Sequence, residues 1–118
     1  MPKIKRINSS ETNISGTCFA DSMLASYKDI FDKLGPPCDS FDNYKSDAEW
    51  ILEFEDGTVA TIYNWKNGKN YCGEDGYDIK DIPEWHIGAH KKIAASWVID
   101  FIKNSWPVFD DIRQDAQV

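Results

Sequence analysis

The sequence predicts an α+β domain, in which an antiparallel β-sheet is built around a central hairpin. A C-terminal helix is expected to pack on one face of the sheet, together with a short N-terminal helix. Residues 48–54 alternate apolar with mostly acidic side chains, the two-residue period of a half-buried strand. The Asp56-Gly57 pair that follows is a strong hairpin signal. Residues 89–105 place apolar side chains at helical spacing.

The first elements along the chain are expected to be a polar arm over residues 1–12, a strand over 16–24 and a helix over 26–34. The helix is well bounded in sequence. Ser26 is expected to cap its N-terminus, and Gly35 to end it because glycine tolerates positive φ. The two prolines that follow prevent its continuation.

The register of the central hairpin depends on its loop. If the loop is only Asp56-Gly57, Trp50 lies opposite Tyr63 and both side chains point to one face of the sheet. The same register places Ile62 and Asn64 on the other face. We therefore expect Tyr63 on the face that carries Trp50.

After the hairpin, the pattern predicts a long loop over residues 67–83, a third strand over 84–88, and then the final helix over 89–105. Residues 106–109 form an apolar segment ahead of an acidic end. An exposed apolar segment favours self-association, so we expect a homo-oligomer.

The chain is expected to be a single domain, because 118 residues suffice for one core but not two. Its divisions are an arm over residues 1–12, a core over 13–105 and a tail over 106–118.

The charge balance excludes one class of partner. Thirteen basic and twenty acidic residues give a formal charge of −7, which argues against a protein that binds duplex nucleic acid. A small phosphate ligand needs only a few local cations. No stretch approaches the roughly 18 apolar residues of a membrane span. The three cysteines lack paired spacing, which is typical of reduced thiols in a cytoplasm.

No catalytic or metal-binding pattern is convincing, so we expect a protein that is not an enzyme and has no cofactor and no metal. His86 and His90 are four apart, but the strand pattern ends between them and no third ligand is well spaced. Cys72 and His86 lack an activating context for a nucleophile. The acidic loop residues do not have the spacing of a calcium loop.

Aromatic, amide and cationic side chains crowd the end of the second hairpin strand. Aromatic rings can stack on a base, amides can hydrogen-bond its edge, and lysines can meet phosphate. An alternative is that Tyr63 and Trp65 are core residues of the hairpin. The candidate ligand-binding residues are Tyr63, Asn64, Trp65, Lys66, Lys69, Asn70, Tyr71, Trp85 and His86.

The same residues carry a resemblance to a family of small proteins encoded by tailed bacteriophages, over about residues 17–100. The matching segments are AEWILEFEDGTVATIYNWKNGKNY and EWHIGA, preceded by YKDIFDKLGPP and DNYKSDAEW. The chain departs from the expected pattern at Ala89, where a second glycine would follow Gly88.

The resemblance implies a function in phage immune evasion, in the manner of anti-defence sponge proteins. These sequester the cyclic oligonucleotide signals of host anti-phage systems in the host cytoplasm, without catalysis and within oligomers. The alternative is an acidic protein-binding inhibitor, either a DNA mimic or one that blocks a CRISPR effector. Its support is the net charge of −7, and the lysines spread through the sequence weaken it.

Overall fold

The computed structural model describes residues 2–38 and 45–104. Within these ranges, five strands and three helices form the predicted α+β fold. In chain order the elements are β1 (Ile4–Ile7), β2 (Cys18–Leu24), α1 (Tyr27–Leu34), β3 (Glu49–Phe54), β4 (Val59–Tyr63), α2 (Lys69–Cys72), β5 (Glu84–Ala89) and α3 (Ile93–Lys103).

The strands form one antiparallel sheet in the order β1-β3-β4-β5-β2. Its first edge strand is a correction to the prediction, because β1 lies in the segment expected to be a polar arm. Ile4 pairs with Phe54 of β3, and the N–H of Glu55 donates to the carbonyl of Lys3 at 2.8 Å. The strand reads Ile-Lys-Arg-Ile, and an irregularity between Ile4 and Arg6 shifts its register. Short, charged and irregular strands of this kind are typical of sheet edges.

Helix α1 follows its sequence signals closely. Ser26 Oγ accepts from the N–H of Asp29 at 3.0 Å, and the Asp29 carboxylate accepts in return from the N–H of Ser26. This reciprocal capping box satisfies two backbone donors at the start of the helix. Gly35 ends the helix with φ of 78°. Both predicted ends are therefore confirmed.

The register of the central hairpin differs by one residue from the prediction. Phe54 donates to the carbonyl of Thr58 at 2.8 Å, so the loop has three residues, and Gly57 has a φ of 88° at its end. A turn closed by such a glycine makes a bulge and moves the pairing by one position. Trp50 consequently pairs with Ile62, and Tyr63 pairs with Glu49.

In this register, each side chain of β4 points to the face opposite to the one predicted. Ile62 and Asn64 lie on the core side and are fully buried, whereas Tyr63 lies on the opposite face and is half-buried. We call the two sides the helix face and the open face. The helix face carries Trp50, Leu52, Phe54, Ala60, Ile62, Trp85 and Ile87, which pack against buried residues of α1 and α3.

Helix α3 is shorter than predicted at its start. Ala89 is the last residue of β5 instead and pairs with Ala60. His90 follows the strand and donates its backbone N–H to the carbonyl of Val59 at 3.1 Å. The helix then begins at Ile93. The apolar segment over residues 106–109, and the tail to which it belongs, lie outside the described residues.

The N-terminal segment covers one end of the open face. The backbone N–H of Asn8 donates to the carbonyl of Ile51, and Asn8 Oδ1 accepts from the N–H of Ile51, both at 2.7 Å. The Thr12 hydroxyl donates to the Glu53 carboxylate at 2.9 Å. Val59 on this face is only 4% exposed. The opposite end of the face remains accessible, and there the candidate site lies. No helix in the described ranges is long and apolar enough to cross a membrane.

Candidate functional site

The accessible end of the open face consists of two neighbouring rows of side chains, each running across the sheet. Backbone pairing fixes both rows, because cross-strand partners point to the same side. The first row is Glu49, Tyr63, His86 and Ser22, and the second is Ile51, Thr61, Gly88 and Phe19. Trp65 follows immediately after β4 and leans over the first row.

Four rings from three parts of the chain surround a space of about 350 Å³, which we call the aromatic cavity. Its walls are Phe19, Tyr63, Trp65 and His86. The rings of Trp65 and His86 are nearly parallel, at 20°, with centroids 6.4 Å apart. Tyr63 and Phe19 meet His86 edge to face, at 5.6 Å and 4.8 Å. Together the four rings offer an aromatic surface on which a flat ligand can stack.

A second space of about 220 Å³ adjoins the first, and we call it the polar cavity. It shares three walls with the aromatic cavity, and its other lining residues are Thr17, Cys18, Ser46, Glu49, Thr61 and Gly88. A ligand can therefore stack a ring on the aromatic side chains and direct a polar edge toward Glu49.

Gly88 lines the polar cavity at a point where its neighbours leave no room for a side chain. A Cβ at this position would lie 2.9 Å from Thr61 Oγ1 and 3.6 Å from the Tyr63 ring. Gly88 has no side chain, so Thr61 and Tyr63 can pack directly against the backbone of β5. The neighbouring Ala89, where the resemblance leads one to expect glycine, points to the helix face and is 5% exposed. Its methyl group therefore does not enter the site.

Two lysines bring positive charge to the rim. Lys45 Nζ and Lys66 Nζ each lie 5.3 Å from the centre of the Trp65 ring, within the range of a cation–π interaction. Lys66 Nζ is also 5.3 Å from the Tyr71 ring. Lys66 has a φ of 59°, held by its N–H bond to the Lys45 carbonyl at 2.8 Å. The backbone thus places both ammonium groups beside one ring.

Burial sets the ionisation of the groups inside the site. The pKa of His86 is lowered, chiefly because the ring is desolvated, while the negative charge of Glu84 opposes this. The imidazole is therefore neutral at physiological pH, with one nitrogen that accepts a hydrogen bond. Burial raises the pKa of Tyr63, and the negative charge of Glu49 adds to the effect. The phenol remains a hydrogen-bond donor.

Two of the sequence-predicted ligand residues are part of the scaffold. Trp85 is fully buried on the helix face, where its ring contacts Trp50 edge to face at 5.6 Å. Asn64 is fully buried between the start of β3 and the end of β4. Neither side chain has surface to offer a ligand, so we leave both out of the site.

Two further predicted residues fold the loop after β4. Asn70 donates its side-chain amide to the carbonyl of Ser46 at 3.0 Å. Lys69 Nζ lies 3.4 Å from the Glu74 carbonyl and 3.7 Å from the Asp78 carboxylate. The structure thus brings together Tyr63, Trp65, Lys66 and His86, with Tyr71 at the margin of the site. The side chains of Lys69 and Asn70 instead hold the segment after β4 in place.

The prediction missed three residues that matter to the geometry. Phe19 is 59% exposed and lies on edge strand β2, far from the cluster in sequence. Glu49 and Gly88 were considered only as strand residues. The correct hairpin register would have identified Glu49, because Glu49 pairs directly with Tyr63.

The histidine pair predicted to be a poor metal site is split by the fold. His86 faces the aromatic cavity, while His90 Nε2 lies 2.9 Å from the carbonyl of Ser15. Across residues 2–38 and 45–104, no three His, Cys, Asp or Glu side chains converge as metal ligands would. The Cys72 thiol is directed to the carbonyl of Lys66 at 3.2 Å.

Comparison with known proteins gives no relative from which to transfer a role. The sequence matches no protein-family model and no curated protein, and the fold matches no solved structure.

Proposed function

We propose that this protein is a non-catalytic binding protein that sequesters a cyclic oligonucleotide, with one base in the aromatic cavity. The observation that carries the proposal is the aromatic cavity itself, a space of about 350 Å³ lined by four rings. Aromatic side chains of this kind are the surfaces on which proteins stack the bases of nucleotides.

The charges beside the aromatic cavity support a ligand that joins a base to a phosphate. Lys45 Nζ and Lys66 Nζ each lie 5.3 Å from the centre of the Trp65 ring, so a phosphate next to a base stacked there would have two ammonium groups nearby. Base stacking contributes about 1–3 kcal/mol per base, and charge-assisted bonds to phosphate are stronger than neutral ones. Binding by these groups requires no bond to be made or broken.

The resemblance to small tailed-phage proteins gives the proposal its biological setting, which is immune evasion in the host cytoplasm. A cyclic signal with two bases and two phosphates suits two copies of one site related by a twofold axis. We therefore propose that the working form is a homo-oligomer in which each copy holds one half of the signal.

An acidic protein-binding inhibitor is the second candidate, and the segment from Gly73 to Asp81 favours it. Glu74, Asp75, Asp78 and Asp81 are all exposed there. The interleaved lysines weaken this candidate, because Lys69 pairs with Asp78 and Lys80 pairs with Asp81. A mimic of nucleic acid needs a denser line of negative charge.

The test is to incubate the full chain with a panel of cyclic dinucleotides and trinucleotides, remove unbound ligand, release the remainder by heat, and chromatograph it. Recovery of intact ligand supports sequestration. Recovery of a cleaved ligand indicates an enzyme, and no retained ligand at all contradicts the proposal and favours the protein inhibitor.

Replacing both Lys45 and Lys66 by alanine is expected to weaken binding of the retained cyclic dinucleotide about tenfold or more, since two charge-assisted contacts are lost. The melting temperature should change little, because these lysines are at the rim and exposed cation contacts contribute only about 0–1 kcal/mol. Calorimetric titration and thermal denaturation measure the two effects.

Lys69→Ala is the matched control for this pair. It removes one positive charge from the same part of the chain, but its ammonium group is directed toward Glu74 and Asp78. If Lys69→Ala weakens binding as much as the double variant does, the cations act only through overall charge and the rim assignment is wrong.

A further inference from the structure

The lining of the polar cavity includes one carboxylate, that of Glu49. Glu49 pairs with Tyr63 across the hairpin, and its charge is near enough to raise the pKa of the phenol. A carboxylate offers about four acceptor positions and no donor, so a contact with its own chain leaves positions for a ligand. Because the polar cavity shares Phe19, Tyr63 and Trp65 with the aromatic cavity, a base stacked on these rings can direct one edge toward Glu49.

The hydrogen-bonding edges of the common bases differ in how they meet a carboxylate. On its Watson–Crick edge, guanine carries two adjacent donors, N1–H and N2–H, which match the two oxygens of a carboxylate. Adenine places the acceptor N1 beside its amino group, cytosine places the acceptor N3 beside its own, and uracil places its single N3–H between two carbonyls. Only guanine can bind in the paired, charge-assisted manner that is strongest.

We infer that the site selects guanine, with Glu49 accepting from N1–H and N2–H while the ring stacks in the aromatic cavity. This inference rests on the nucleotide-binding function proposed above and names the base. The neutral His86 ring adds a stacking face without adding charge.

The test compares three probes on the full chain by calorimetric titration: cyclic di-GMP, cyclic di-IMP and cyclic di-AMP. Inosine keeps N1–H but lacks the N2 amino group, so its affinity should lie between the other two. Loss of a charge-assisted bond predicts that cyclic di-GMP binds roughly tenfold to a hundredfold more tightly than cyclic di-AMP.

Glu49→Gln separates recognition from folding, because it keeps the shape of the side chain. A glutamine amide offers one donor beside one acceptor, the pattern that pairs with adenine. We expect this variant to lose affinity for cyclic di-GMP by roughly tenfold or more and to gain affinity for cyclic di-AMP. Glu55→Gln is the control: it removes the same charge at an exposed turn position, and its preference should match the parent.

The outcomes distinguish this inference from the function beneath it. If all three probes bind the parent equally, or if Glu49→Gln keeps the guanine preference, the assignment of Glu49 is overturned while nucleotide binding stands. If no probe binds, and the wider panel also leaves nothing retained, both fail together.

Discussion

Replacing Trp50 by alanine is expected to lower the free energy of unfolding by about 3–5 kcal/mol, the usual range for truncating a large buried aromatic residue. Trp50 is fully buried, and its ring contacts Tyr27 and Trp85 with centroids 5.6 Å away in each case. Its Nε1 donates to the carbonyl of Gly35 at 2.9 Å, which ties the end of α1 to the sheet. Alanine would remove the packing and leave that carbonyl without its indole donor.

Denaturant unfolding measures the loss, and two further variants show where it arises. Trp50→Phe keeps an aromatic ring but removes the indole donor, so it should cost roughly 1–3 kcal/mol. Trp65→Ala removes a tryptophan that is 41% exposed, and it should cost well under half as much as Trp50→Ala. If Trp50→Ala costs less than about 1 kcal/mol, the ring does not belong to the core and the packing of α1 on the sheet is wrong.

The sequence predicted elements best where local chemistry decides the conformation. Ser26 and Asp29 cap α1 through bonds only three residues apart, and Gly35 ends it, so no tertiary information was needed. The alternation of β3 and the short β5 were equally visible, because one face of each strand is apolar. Edge strand β1 was missed because its pattern is brief and its basic residues resemble those of a disordered arm.

The predicted hairpin register was wrong because the sequence around Gly57 fits two loop lengths. The Asp56-Gly57 pair is compatible with a two-residue loop and with a three-residue loop that starts at Glu55, and the sequence alone does not separate them. In the structure, Asp56 Oδ1 accepts from the N–H of Thr58 at 2.9 Å, which favours the longer loop. A slip of one residue turns every side chain of β4 to the other face.

The candidate site shows the same division between local and tertiary information. Trp85 and His86 are adjacent in a strand, so their side chains must point to opposite faces and cannot both line one cavity. That argument was available from the sequence, and it would have removed Trp85. Phe19 could not be found in this way, because only the pairing of β2 with β5 brings it beside Gly88 and His86.

Asn64 joins the two chain segments that carry the rim lysines. Its Oδ1 accepts from the N–H groups of Asp47 and Ala48 at 2.6 Å and 3.2 Å. Its Nδ2 donates to Asp47 Oδ1 at 2.9 Å and to Asn67 Oδ1 at 3.0 Å. All four hydrogen-bonding positions of the amide are occupied. The residue therefore joins the chain around Lys45 to the chain around Lys66, the two lysines of the rim.

Asn64→Ala is expected to lower the free energy of unfolding by about 3 kcal/mol or more, because each buried group left unpaired costs roughly 1–3 kcal/mol. Asn64→Asp should be destabilising as well, although its shape is the same. It keeps the two acceptor bonds but loses both donors, and it places a second carboxylate 2.9 Å from Asp47 Oδ1, where the amide nitrogen now lies. Denaturant melts of both variants, with Asn104→Ala as an exposed amide control, measure these losses.

The same variants separate a scaffold residue from a ligand contact. If Asn64 only positions the rim, its replacement should weaken nucleotide binding together with stability, whereas the Lys45 and Lys66 double variant should lose affinity alone. Asn104→Ala should change neither, because its side chain makes one long bond of 3.4 Å at an exposed helix end. A variant at Asn64 that melts like the parent but loses all affinity would contradict this scaffold role. Asn64 would then be a residue that contacts the ligand.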